Sequence, residues 1–288
     1  MAISSFQPTI WAKELQRGLE KSLVSEFAVN HNYEGDAANA VSVKINTVGD
    51  YTVADYAAGT PLSYQTPDLS AQTLNLDKKK VIPITFDDVE LAQTADGGRV
   101  MVTSMEKAGY NLAAEQDATV IAAIVAAVEA GNTIGSDASP ADASTSALAL
   151  KIISDLVTKA DEANVPADGR VLLSTPAFYN MLISDPKISM ALSMSKSAKT
   201  GDLGTGYQGE ILGVQVYKSN NIPKTTTNSR EQAVLTHPSF NTVANQQNRV
   251  KMGNMESQVG QWVQAINVYG VKAVVTKSAL AIVDYSGE

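Results

Sequence analysis

Apolar and small residues recur at Met101, Met105, Ala108, Leu112, Thr119, Ala122 and Ala126, a spacing that keeps them on one helical face. The pattern predicts one long helix over 98–130, with Asp96 as its N-cap and Gly131-Asn132 as its stop. About thirty residues at 1.5 Å each make a rod of roughly 45 Å. Arg99, Lys107, Glu115 and Asp117 fall off this seam. From Val120 to Val128 the chain is apolar without a break, which predicts cover on every side. That run is too short to cross a bilayer, which takes about twenty residues.

Before the rod, a first helix is predicted from Ile10 to Phe27, with Trp11, Leu15, Leu19, Leu23 and Phe27 on one stripe. A polar, turn-rich stretch over 28–39 follows. Val41, Val43 and Ile45 then alternate with polar neighbours, and Tyr51-Thr52-Val53 continues the register beyond Gly49-Asp50. A returning arm carries Leu74, Leu76, Val81, Ile82, Ile84 and Phe86. The tip between the arms, 57–71, contains Gly59, Pro61, Pro67 and Asp68. Arms of about seventeen residues reach roughly 55 Å, whereas a compact chain of this length has a radius of gyration near ~19 Å. Such a hairpin overhangs its own body, and Leu62 and Tyr64 near the tip then need cover from elsewhere. A meander folded back on the body is the alternative. Asp87-Asp88 is expected to cap a short helix over 89–95.

Beyond the rod, 132–145 reads as a linker rich in Gly, Ser, Asp and Pro. An α/β pattern takes over: a helix over 146–163, the buried strand 171–174, a short helix opened by Pro176, a strand over 211–217 and another over 232–235. Residues 184–209 read as a long, weakly structured loop, a feature associated with function or a partner. Pro238 starts a short helix, and the remainder returns to β structure around Trp262, Val271–Thr276 and Ala279–Val283. An α/β unit over about 146–245 thus stands inserted between the rod and a β-rich end.

Composition narrows the function. The 288 residues are 44% hydrophobic, enough for a substantial core, and carry a formal charge of −8. Tracking a nucleic-acid backbone takes clustered Lys and Arg, and the one run here is Lys78-Lys79-Lys80. Sequence-specific DNA binding is therefore not expected. With no cysteine, disulfides, thiolate nucleophiles and Cys-based metal sites are excluded. The start, Met1-Ala2-Ile3-Ser4-Ser5, lacks the basic and apolar regions of a signal peptide.

Candidate chemistry is sparse. The two histidines stand apart, His31 in a polar turn and His237 before Pro238. Asp87 and Asp88 are neighbours on the chain, point apart, and suit capping better than acid–base work. The run Gly201-Asp202-Leu203-Gly204-Thr205-Gly206-Tyr207-Gln208-Gly209 follows no predicted strand and lacks the Lys-Ser/Thr pair of a phosphate loop. Asp161-Glu162 and Asp137/Asp142 lack calcium-loop spacing. No catalytic residue, cofactor site or metal site is assigned.

The order of parts is itself informative, as are several stretches: Gln7-Pro8-Thr9-Ile10-Trp11-Ala12-Lys13-Glu14-Leu15, then 48–56 (VGDYTVADY), 164–170 (NVPADGR), 213–221 (GVQVYKSNN) and 268–273 (VYGVKA). Together they resemble the major capsid protein of tailed bacteriophages, an α+β shell fold shared with encapsulin compartments and the herpesvirus capsid floor. The resemblance implies an N-terminal arm over 1–38 and an extended β-hairpin, the E-loop, over 39–86. It implies a peripheral domain over 87–145 with the rod as spine helix, an axial domain over 146–245, and peripheral closing strands over 246–288.

It also implies function: a non-enzymatic protein that self-assembles as hexamers and pentamers into the icosahedral head of a double-stranded DNA phage. Inter-subunit contacts are expected at Phe6, Trp11, Tyr51, Tyr56, Leu62, Tyr64, Lys78, Lys79 and Lys80. Expected partners are other copies of the chain, a portal, a separate scaffolding protein (Met1 leads straight into the arm) and in some cases a decoration protein, with no membrane. The location implied is the virion, assembled in the bacterial cytoplasm. A lysine–asparagine cross-link is not carried over, because Lys78–Lys80 lie near the hairpin base. The alternatives are an encapsulin-like shell around a cargo protein and, from another class, a soluble α/β enzyme or binding module.

Overall fold

The computed structural model describes residues 24–38, 40–49, 51–55, 64–89, 99–198, 207–256 and 259–285. A short helix α1 (Glu34–Ala37) precedes strands β1 (Ser42–Val48), β2 (Leu69–Asn75) and β3 (Lys78–Asp87), and the long helix α2 (Arg99–Ala126) comes next. Then follow β4 (Thr133–Ile134), β5 (Ala141–Asp142), α3 (Ser146–Glu162), β6 (Val171–Ser174), α4 (Pro176–Ile183) and α5 (Pro186–Ala198). Strands β7 (Tyr207–Ile211), β8 (Val214–Lys218), β9 (Glu231–Thr236), β10 (Asn241–Asn254), β11 (Gly260–Ala273) and β12 (Ala279–Asp284) complete the chain. The helix predicted over 10–27 lies outside the described residues except at its end, where Ser25–Ala28 form a 3-10 turn. Of the helix predicted over 89–95 only Val89 is described, and its N–H donates to Asp87 Oδ1 at 2.8 Å, as a cap requires.

Among the described residues the strands form three sheets. The first is the β1–β2 hairpin, in register from Ser42↔Asn75 to Val48↔Leu69. Period-two alternation buries Val43, Ile45 and Leu74 at its base against Ala37, Leu76 and Ala244. The register persists past the strands: Gly49 N–H donates to Asp68 O, and the Gln65 side-chain amide bonds both backbone groups of Thr52, at 2.9 and 2.6 Å. The returning arm differs from expectation. It divides at Leu76-Asp77, and β3 leaves β2 to pair with β11, from Lys78↔Tyr269 to Asp87↔Gly260. The hairpin out to Thr52 therefore spans about 35 Å at ~3.3 Å per residue.

The second sheet has the order β10-β11-β3. Its edge strand β3 tolerates Pro83, which has no N–H to donate. Strand β10 is absent from the sequence reading, since its Asn, Gln, Arg and Lys show no apolar alternation. A β-bulge between Asn245 and Gln247 turns Gln246 aside, where its Nε2 donates to Ala37 O at 3.1 Å and Ala40 O at 2.8 Å.

The third sheet, β4-β12-β9-β6-β8-β7 with β5 beside β12, has parallel and antiparallel pairs. Helices α3 and α4 cover one face through Ile152, Ile153, Leu156, Phe178 and Leu182. The other face receives the C-terminal half of α2 through Val120, Ile121 and Ile124. β12 joins this sheet rather than β10 and β11, so the last strand sits with the inserted unit.

Caps decide where helices start. Thr145 Oγ1 accepts from Leu148 N, Thr175 Oγ1 from Phe178 N, and Asp185 Oδ1 from Lys187 N, with Pro176 and Pro186 as first helical residues. The last of these opens α5, where a loop was expected. Among the described side chains its serine-rich sequence buries Ile188 and Leu192 and leaves Met190, Ala191 and Met194 exposed. α5 sits close against β7: a Cβ on Gly209, whose φ is +129°, would stand 2.5 Å from Leu192 O. α2 stops at Ala126 because Ala127 N–H is shared between Ala123 O and Ile124 O, and Val128 bonds Val125 O, tightening the last turn. Its apolar end is covered on one side only, with Ala122 and Ala126 exposed. Asp117, expected off the seam, is fully buried.

Candidate assembly surface

The distal hairpin presents apolar side chains to solvent. Val48, Tyr51, Val53, Tyr64 and Leu69 are exposed, Val53 at 95% and Tyr64 at 90% of their maximum. The register places Tyr51, Val53 and Tyr64 on one face of the hairpin and Val48 and Leu69 on the other, and large apolar side chains exposed together mark a contact with another molecule. Tyr51 and Tyr64 were expected there from sequence, while Val48, Val53 and Leu69 were not singled out. Phe6, Trp11, Tyr56 and Leu62 lie outside the described residues.

The three lysines are not on the hairpin. They open β3, and alternation separates them. Lys78 Nζ meets Asp77 Oδ2 at 3.1 Å, and Lys80 Nζ meets Glu115 Oε1 on α2 at 2.6 Å. The hydrogen bond that Lys80 donates to Glu115 holds its ammonium above its usual pKa. Lys79 points to the opposite, exposed face of the sheet.

On that face the register aligns Lys79, Val81, Pro83 and Thr85 with Val268, Ile266, Gln264 and Trp262, and the last three of these with Arg249, Lys251 and Gly253. The Trp262 indole lies across Gly253, where a Cβ would stand 2.7 Å from Cζ2. Gly253→Ala is expected to displace the ring at a cost of about 1 kcal/mol. A shift of tryptophan emission in a Trp11→Phe background reads this out, and unchanged emission contradicts it.

The polar residues considered as candidate chemistry are used locally. His31 Nδ1 bonds Glu34 Oε1 at 2.9 Å, and the same carboxylate accepts from Asn245 Nδ2 at 3.0 Å. His237 Nε2 donates to Asp168 O at 2.9 Å, leaving Nδ1 to accept from Ser239 N–H at 3.2 Å. Asp137 is held below the usual carboxylate range by Thr225, and Asp142 by Ser144. Among the described residues no three His, Asp or Glu are grouped to hold a metal ion, and no helix is long and apolar enough to cross a membrane. Of the glycine-rich run, 201–206 lie outside the described residues.

Residues 71–283 match the sequence profile of the family described as phage capsid protein. The chain belongs to the phage capsid protein family. This capsid protein is similar to a solved structure from Mycobacterium phage Che8, 26% identical, with a TM-score of 0.71 over 91% of this chain and 90% of that one. The capsid of Ralstonia phage GP4 is 10% identical, with a TM-score of 0.67 over 94% and 92% of the two chains. A virus-like particle from Pyrococcus furiosus is 13% identical, with a TM-score of 0.57 over 95% and 98%. The latter two share the fold alone. No curated protein sequence matches the chain. The α+β shell fold expected from sequence is the one observed, and the protein is a structural major capsid protein of the phage virion, not an enzyme.

Proposed function

We propose that the chain closes an icosahedral head as hexamers and pentamers, around double-stranded DNA held without sequence-specific contacts. The observation that carries this reading is the distal hairpin, an arm of exposed apolar residues anchored, among the described residues, at its base. A second copy of the chain supplies the cover. In this reading Tyr51 and Tyr64, with Tyr56, Leu62, Phe6 and Trp11, lie between subunits. Lys79 does so more than Lys78 or Lys80, which already have acidic neighbours. The seven-stranded sheet with α3–α5 acts as the axial domain over about 146–245, joined by β4, β5 and β12. α2 with β3, β10 and β11 forms the peripheral one, so that of the E-loop expected over 39–86 only the part before β3 belongs to the hairpin, and 1–38 is the arm.

A portal, a separate scaffolding protein and a decoration protein are the further partners proposed, with assembly in the bacterial cytoplasm. Net charge of −8 suits a wall around packed DNA, since a basic lining would bind phosphate and hinder its movement. Match to the phage capsid family favours a DNA-filled head over a cargo-enclosing shell. Electron micrographs of purified material should show closed particles, with nuclease-protected DNA in particles from infected cells. Light scattering that finds only monomers or dimers overturns assembly. Particles that protect a protein cargo and no DNA overturn the head.

A further inference from the structure

Two consecutive polar residues interrupt the apolar seam of α2 near its middle. Gln116 is 4% exposed and Asp117 is 0% exposed. On the N-terminal side Met101, Met105, Leu112 and Ala113 pack on the three-stranded sheet. On the C-terminal side Val120, Ile121 and Ile124 pack on the seven-stranded one. The polar pair therefore marks the joint between two bodies that share one helix. Gln116 serves the first: its Nε2 donates to Asn245 Oδ1 at 3.1 Å, and its Oε1 accepts from Asn267 Nδ2 at 2.8 Å. Asp117 serves the second. Its Oδ1 accepts from the backbone N–H of Ser25 at 2.7 Å, and its Oδ2 from Asn221 Nδ2 at 2.8 Å and Ser219 Oγ at 3.5 Å.

Burial of a carboxylate is costly unless hydrogen bonds replace its water. Here neutral donors from two segments far apart in sequence do so. One of them is a strap, residues 25–30, lying over the joint. Phe27 stacks on Tyr217 with ring centroids 4.7 Å apart and planes 17° from parallel. Asn241 Nδ2 donates to Ala28 O at 3.1 Å, Asn30 N–H to Asn241 O at 2.9 Å, and Val243 N–H to Asn30 O at 3.0 Å. Those attachments hold the strap farther along, whereas the bond to Asp117 is made at Ser25, beside the point where residues 1–23 join.

We infer that Asp117 is a positioning residue for assembly: it clasps the strap at Ser25 and so fixes the point on the body to which residues 1–23 are covalently attached. An apolar side chain would fill the same volume, but only an acceptor aimed at Ser25 N–H and Asn221 Nδ2 fixes the strap to one place. This rests on the reading that Phe6 and Trp11 contact neighbouring subunits. A misdirected arm then costs assembly more than it costs the fold.

The test pairs Asp117→Asn with the exchanged double variant Asp117→Asn/Asn221→Asp. The single variant keeps an oxygen for Ser25 but turns an amide donor toward the Asn221 donor. It should unfold in urea close to the parent, be cleaved by protease within 24–30 about tenfold faster, and yield about tenfold fewer particles. The exchange restores one donor and one acceptor and should recover both readouts. Parent-like protection and yield in Asp117→Asn overturn the inference, as does fast cleavage with normal yield. If the single variant fails to fold, the double one decides: protected strap and particles support the clasp, and a folded but unprotected double variant overturns it. Absence of particles from the unsubstituted chain would fail the shell reading instead, while protease protection still tests the clasp on the lone subunit.

Discussion

Tyr64→Asp is expected to leave the subunit folded and to abolish particles. Tyr64 is 90% exposed at the far end of the hairpin. An exposed substitution of this kind changes subunit stability by about 0.5 kcal/mol or less. In the shell proposed above, the same position lies under a neighbour. An aspartate left there without a partner costs on the order of several kcal/mol at every copy of the contact. Closure multiplies that cost around the whole particle. The measurement is sedimentation of assembled against free subunit, with urea unfolding of the free subunit alongside. A destabilised subunit that still forms normal particles would contradict the placement of this residue between subunits.

How much of this was legible in the sequence depended on whether the deciding contact was local. α3 is marked by its periodic Ile152, Leu156 and Ala160, by the Thr145 cap, and by an end in which Val165 N–H reaches back to Ala160 O with Asn164 left-handed. All of these signals lie within the segment. The outgoing hairpin register was legible for the same reason, although Gln65 rather than a backbone ladder continues it at Thr52.

The break between β2 and β3 was not legible. Leu74, Leu76, Lys78, Lys80, Ile82, Ile84 and Phe86 hold one parity across it, so alternation runs on while the partner changes from β1 to β11. β10 was hidden because a strand pairing along its whole length with β11 needs little apolar alternation of its own. α5 was hidden because serine is as much at home in turns as in helices. Asp117 was misplaced by a sound rule, that a charge on an amphipathic helix faces water. Its donors, Ser25 and Asn221, lie 92 and 104 positions away and leave no trace in the helix itself. For the assembly surface, aromatic residues in the hairpin could be named early because overhang follows from length. Exposure of Val48, Val53 and Leu69 depends on where the base is anchored, at Ala37 and Ala244, which spacing does not reveal.

Tyr217→Ala is expected to destabilise the subunit by about 3–5 kcal/mol, a third or more of the ~5–15 kcal/mol typical of a folded domain. The ring is fully buried between Phe27 of the strap and Tyr207, whose centroid lies 5.5 Å away at 59°. Its removal opens the core exactly where strap, helix and seven-stranded sheet meet, and urea unfolding measures the loss. Tyr217→Phe keeps the ring and loses the hydroxyl that donates to Gln215 Oε1 at 3.3 Å, which should cost about 1 kcal/mol. The two variants separate further in alkali. Burial, with a smaller contribution from Tyr207, pushes the Tyr217 phenol up to about 12. An unfolded tyrosine ionises near ~10. Between those values the unfolded chain has lost a proton that the folded chain keeps, so stability falls as pH rises, by about 1.4 kcal/mol per pH unit for this group. Burial also pushes Tyr285 to about 12, and that residue's share of the loss persists in Tyr217→Phe. The parent should therefore lose stability more steeply than Tyr217→Phe across this window, by close to one proton. Parallel curves for the two proteins would show that the Tyr217 hydroxyl titrates in the folded chain as it does in water.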